Sequence, residues 1–185
     1  MGPTPGRMRK GLLIGLVAVI ATLSGAAAWV GAGPAVAGWR EIAWPFPRDG
    51  WPAGRAFRCE SALCGQPIEL YVRPKIGFCN CDVGVADDDE VDRVADLDLI
   101  SPQFAADDAG RAVQLANVSG RMRSYSLQMP DGTRQAALGI ALSRRCDLVV
   151  AAARGSPGSR LQHAVLDFLG KDDVWRWMTA ALDSR

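Results

Sequence analysis

The chain has very little of several things that chemistry usually needs. Of its 185 residues one is histidine, His163, and three are lysine, Lys10, Lys75 and Lys171. A single histidine excludes the H-E-x-x-H zinc helix. No G-x-S-x-G elbow, phosphate-binding G-x-x-x-x-G-K-[ST] loop or C-x-x-C-H haem attachment occurs either. An excess of one charge is also lacking. The 21 basic and 20 acidic residues leave +1, so nucleic acid is not implied as a partner. Arginine supplies nearly all the positive charge, but no arginine cluster stands out along the chain. Nothing selects a pair of carboxylates for hydrolysis, and no catalytic residue is assigned. An enzyme is therefore not the expected reading.

The clearest positive signal is the N-terminus. Arg7, Arg9 and Lys10 precede an uncharged stretch, residues 11–39, in which Leu12 to Leu23 is almost continuously apolar. That order suits a secretory signal, with Ala35-Val36-Ala37 as cleavage site and Ala26-Ala27-Ala28 as a second one. The same stretch is long enough to span a bilayer as an uncleaved anchor. Either way the positive end stays inside, and residues 40–185 lie outside the cytoplasm. The expected place is the periplasmic side of a bacterial inner membrane, with membrane lipid as a partner if the segment is retained. The domain division follows: 1–37 signal peptide or anchor, 38–57 a Trp/Pro-rich linker, 58–185 one extracytoplasmic domain. Without the three leader cations, 18 basic residues face 20 acidic ones. The leader hides no basic face.

The segment from Trp39 to Phe57 holds Trp39, Trp44 and Trp51 among Pro45, Pro47 and Pro52, which block a regular helix. Trp44 and Trp51 are the interaction candidates. They fit an interfacial indole belt or an arm that docks an envelope protein. The alternative is an extended segment whose indoles lie over the domain core.

Beyond it the periodicities predict an α+β domain, a mostly antiparallel β-meander with helices on one face. Ile68, Leu70 and Val72 alternate in a strand, and Pro74 implies an edge position or a bulge. Residues 86–100 read as one helix, with Asp87 as N-cap and Glu90 as its capping-box partner. Residues 112–154 read as the meander, turning at Pro130-Asp131-Gly132 and again at 143–146. Two helices close the chain. Ser159 is a candidate cap for the first, whose face is Leu161, Val165, Phe168 and Leu169. Gly170 stops it, and the second carries Val174, Trp177, Met178, Ala181 and Leu182.

Five cysteines, Cys59, Cys64, Cys79, Cys81 and Cys146, all follow the leader. An oxidising compartment favours disulfides, and an odd count leaves one thiol over. Cys79 and Cys81 in an extended segment stand about 6.6 Å apart, near the limit for a bridge. The expected pairs are Cys59 with Cys64, and Cys146 with Cys79 or Cys81. A metal reading uses Cys79 and Cys81 for copper, or four thiolates for zinc. A thiol–disulfide exchange reading uses the same two residues without the C-x-x-C arrangement it normally needs. The acids Asp87, Asp88, Asp89 and Glu90 fail the calcium-loop pattern and suit a first helical turn. The favoured function is a disulfide-stapled envelope accessory protein. Copper handling and thiol exchange are the alternatives.

Overall fold

The computed structural model describes residues 38–47, 49–77, 81, 84–157 and 160–183. The leader, Cys79 and the Ser159 cap lie outside them. The described elements are β1 (Trp39–Ile42), β2 (Arg55–Cys59), α1 (Ser61–Cys64), β3 (Ile68–Lys75), α2 (Asp88–Val94), α3 (Leu97–Ile100), β4 (Phe104–Ala106), β5 (Arg111–Leu115), β6 (Val118–Gln128), β7 (Arg134–Arg144), β8 (Asp147–Gly155), α4 (Leu161–Leu169) and α5 (Asp172–Asp183). Among these residues no helix is long and apolar enough to cross a membrane.

The architecture is α+β. One eight-stranded antiparallel sheet runs in the order β1-β2-β3-β8-β7-β6-β4, and β5 pairs β6 further along the same edge. β5 to β8 form the meander that the alternation predicts. The turn at 130–132 closes with Gly132 N–H donating to Met129 O at 3.0 Å. The other end of the sheet departs from expectation. The segment read as a linker supplies β1 and β2, so the sheet begins at Trp39. These strands are short, and their outward positions carry Arg40, Glu41 and Arg58, which blurs the alternation in sequence.

Pro74 also sits differently. β3 is an interior strand between β2 and β8. However, β2 begins only at Arg55, opposite Val72, while Pro74 pairs only Val149 of β8. The proline has a strand on one side, so its missing N–H leaves no gap in the ladder.

The helices lie on both faces of the sheet, not one. Leu138, Ile140 and Leu142 face α4 and α5, which bury Val165, Phe168, Leu169 and Met178 among others. The opposite face, with Ala137, Ala141, Leu148 and Val150, packs on Val91 and Val94 of α2 and Leu97 of α3. The small residues of β7 look like an outer face in sequence. They are a seat instead: a Cβ on Gly139 would stand 2.9 Å from Ala95 Cβ and 3.0 Å from Tyr125 Cε2. Close approach, not exposure, keeps that face small.

The helix expected over 86–100 is two short ones. Asp87 caps α2 as predicted, accepting from Glu90 N at 2.9 Å. The break falls at Asp96, whose φ of 62° is left-handed. Asp tolerates that region better than most residues, and its side chain has a demanding task there.

Candidate functional site

β3 carries the site. Period two puts Ile68, Leu70 and Val72 into one core and turns Glu69, Tyr71, Arg73 and Lys75 to the other face. That second face is covered as well. Arg73 and Lys75 are only 3% and 4% exposed, and Asp96 is 9% exposed. Buried charges need partners with good geometry, and these have them. Arg73 grips Asp96 through Nε at 2.6 Å and Nη2 at 2.8 Å. Lys75 Nζ donates to Asp96 Oδ1 at 2.6 Å and to Val94 O at 2.9 Å. The left-handed turn at Asp96 thus aims one carboxylate at two cations and frees the α2 C-terminal carbonyl for Lys75.

The Trp/Pro segment lies over this cluster as a strap. Asp49 accepts from Arg73 Nη1 at 2.9 Å and Nη2 at 2.7 Å. Trp44 stands 5.9 Å from the Arg73 guanidinium and Trp51 5.8 Å from Lys75 Nζ, both as cation–π neighbours. Trp44 and Phe46 also meet Tyr71 edge-on. Trp44 and Trp51 are therefore half-buried parts of the fold, and the strap exposes Pro45, Pro47 and Pro52. Among the described residues two cations, Arg73 and Lys75, face two carboxylates, Asp49 and Asp96. The Arg73 hydrogen bond holds the Asp49 carboxyl at about 2. Burial opposes the charge on Arg73, but hydrogen bonds to Asp96 and Asp49 outweigh it and raise its pKa further.

A second polar group continues the row. Glu69 accepts from Arg58, from Arg154 Nε at 2.8 Å and from the Tyr71 hydroxyl. Burial pushes the Glu69 carboxyl up, yet the hydrogen bonds from Tyr71, Arg58 and Arg154 win and hold it at about 2. Burial, then the bond to Glu69, pushes the Tyr71 phenol up to about 12. The group presents fixed charge and no ionisable group poised near neutrality.

The acid run is occupied by cations of the protein itself. Asp88 accepts from Arg121 Nε and from Gly110 N–H, and Asp92 from Arg123 Nη1 at 2.8 Å and the Tyr125 hydroxyl. These pairs dock α2 on β6. Among the described residues no group of three His, Cys, Asp or Glu is placed to hold a metal ion.

Two disulfides staple the fold. Cys59 is joined to Cys64 with Cα atoms 6.1 Å apart, and Cys81 to Cys146 at 4.5 Å. A bonded Cys81 offers no thiolate, so a Cys79/Cys81 copper site requires that bridge to open first. His163 is exposed on α4. Sequence reasoning missed Glu69, Arg73, Lys75 and Asp96 altogether. The available signal was four polar positions at period two in IELYVRPK, a strand otherwise apolar enough to be covered on both sides.

No protein-family model matches the chain, and no curated protein matches it. A solved structure to which it is similar is the solution structure of cyanobacterial PsbP (CyanoP) from Synechocystis sp. PCC 6803. The identity is 12% and the TM-score 0.43, over 78% of this chain and 80% of that chain.

Proposed function

We propose that the protein is an extracytoplasmic accessory protein of a bacterial envelope, a disulfide-stapled domain that works by interaction. The observation that carries this reading is the pair of disulfides, Cys59–Cys64 and Cys81–Cys146. Structural disulfides persist in oxidising compartments, and the apolar N-terminal segment is the matching export signal. The buried charges Arg73, Lys75, Asp49 and Asp96 are paired with one another, which suits a rigid scaffold better than proton transfer. The partner on this reading is an envelope protein met by the strap, with Trp44 and Trp51 setting its shape from below and the exposed prolines offering the contact. Membrane lipid is a further partner where the leader is retained as an anchor.

Intact mass of the exported protein, alkylated before and after reduction, tests the reading. One modified thiol before reduction and five after is the expected result. Loss of the mass of residues 1–37 reports cleavage; its retention in a membrane fraction reports anchoring. Four or five modified thiols before reduction, or recovery only from the cytosol, would overturn it.

A further inference from the structure

Beside the Glu69 group a polar cleft of about 310 Å³ opens between the ends of β2, β7 and β8, lined by Arg58, Glu60, Glu69, Gln135, Arg154 and Ser156 among others. Its charge is not balanced. Two guanidiniums, Arg58 and Arg154, converge on the single carboxylate of Glu69. Glu69 Oε1 is taken by Arg58, and Oε2 by Tyr71 and Arg154. The other acid, Glu60, is paired with Arg40 at 3.2 Å. With Arg40 counted, three guanidiniums stand against the two carboxylates Glu60 and Glu69, and one positive charge is left over.

The donors are not used up either. Arg58 spends Nε and Nη2 on Glu69, and its Nη1 has no partner among the described residues. Arg154 Nη1 makes only a long bond, 3.4 Å, to Gln135 Oε1. With its Oε1 so engaged, Gln135 has its NH₂ as a third donor, and the Ser156 hydroxyl is a fourth. These donors come from β2, from β7, from β8 and from the segment after it. The side chains of Arg58 and Arg154 are 40% and 27% exposed, so a ligand reaches them. Glu69 meanwhile keeps both guanidiniums fixed without neutralising both.

We infer that this cleft binds a phosphate-type oxyanion, on a small soluble phosphate ester or on a lipid headgroup. An arginine fork supplemented by an amide and a hydroxyl suits several oxygens approached from different sides. The volume admits a small organic group attached to the anion.

The test uses the mature protein at low ionic strength. Inorganic phosphate is titrated calorimetrically, and vesicles with and without phosphatidylglycerol are co-sedimented with the protein. Binding weakened about tenfold by Arg58→Gln is expected, the usual scale of a charge-assisted contact. Ser156→Ala should weaken it a few-fold, and Arg55→Gln, on the opposite face, should leave it unchanged. Glu69→Gln should tighten it, because it removes the carboxylate that both guanidiniums grip; a purely structural role for the group predicts no gain. Phosphate binding that vesicles do not displace identifies a soluble ligand. Sedimentation dependent on phosphatidylglycerol and lost in Arg58→Gln identifies a headgroup. Absence of both phosphate and vesicle binding, or binding indifferent to Arg58 and Ser156, would overturn the inference.

Discussion

Arg73 and Lys75 are cations inside a sheet, and their cost is met by Asp96 and Asp49. Removing one member of such a cluster strands the others without water. Asp96→Ala takes from Lys75 its carboxylate hydrogen bond and from Arg73 the carboxylate that it grips through two nitrogens. A loss of about 3–5 kcal/mol is expected, read from urea unfolding. Asp49→Ala should cost less, because Asp49 is the more exposed partner, with 29% of its side chain accessible. Equal losses would mean that the strap, and not Asp96, holds the cluster.

Glu69 sets the acid limit. Its folded pKa of about 2 lies below the ordinary 4.5. The stability it contributes is therefore complete above about pH 4.5 and lost as pH falls toward 2, on the order of 3 kcal/mol in full. Asp49, lowered from 3.8 to about 2, acts in the same direction. In Glu69→Gln the thermal midpoint should start lower at pH 7 and fall less between pH 4.5 and 2. Parallel acid curves for the two proteins would remove Glu69 as the source.

At the scale of elements, the cap of α2 is the simplest contribution to isolate. Asp87 accepts from Glu90 N, whereas Asp89 is exposed and adds only its charge to the first turn. Asp87→Ala should cost about 1 kcal/mol, and Asp89→Ala about half that or less. The same helix explains what was legible in the sequence. Asp87, the turn at 130–132 and the stripes of α4 and α5 are local signals, and each lies where its pattern places it. The break at Asp96 is not local. Residues 86–100 have a continuous helical pattern, and the chain departs from it because a carboxylate is needed opposite Arg73 and Lys75, more than 20 positions earlier. β1 and β2 escaped notice for a related reason. Four- and five-residue strands with outward arginines show little alternation, and only pairing with β3 makes them strands. The expectation of helices on one face failed because alternation does not show that the small residues of β7 and β8 seat α2 and α3 on the second face. The candidate site was illegible for the same physical reason: its members are far apart in sequence and meet only when both faces of β3 are covered.

Over the whole molecule the two disulfides do unequal work. Cys59–Cys64 spans 5 positions within a single turn, while Cys81–Cys146 spans 65 and ties the segment before α2 to the β7–β8 turn. A cross-link stabilises mainly by restricting the unfolded chain, and the longer loop restricts it more. Replacing Cys81 and Cys146 by serine should cost about 4 kcal/mol, and replacing Cys59 and Cys64 about 2 kcal/mol. Both pairs are best removed in a Cys79→Ser background, so that no thiol can reshuffle. Urea midpoints measured on the single and double removals then decide how the molecule is tied. Losses that add within about 0.5 kcal/mol mean independent staples. A larger loss from the Cys59–Cys64 pair would mean that the short bridge holds the β1–β2 edge in place, and that the sheet is closed from that side.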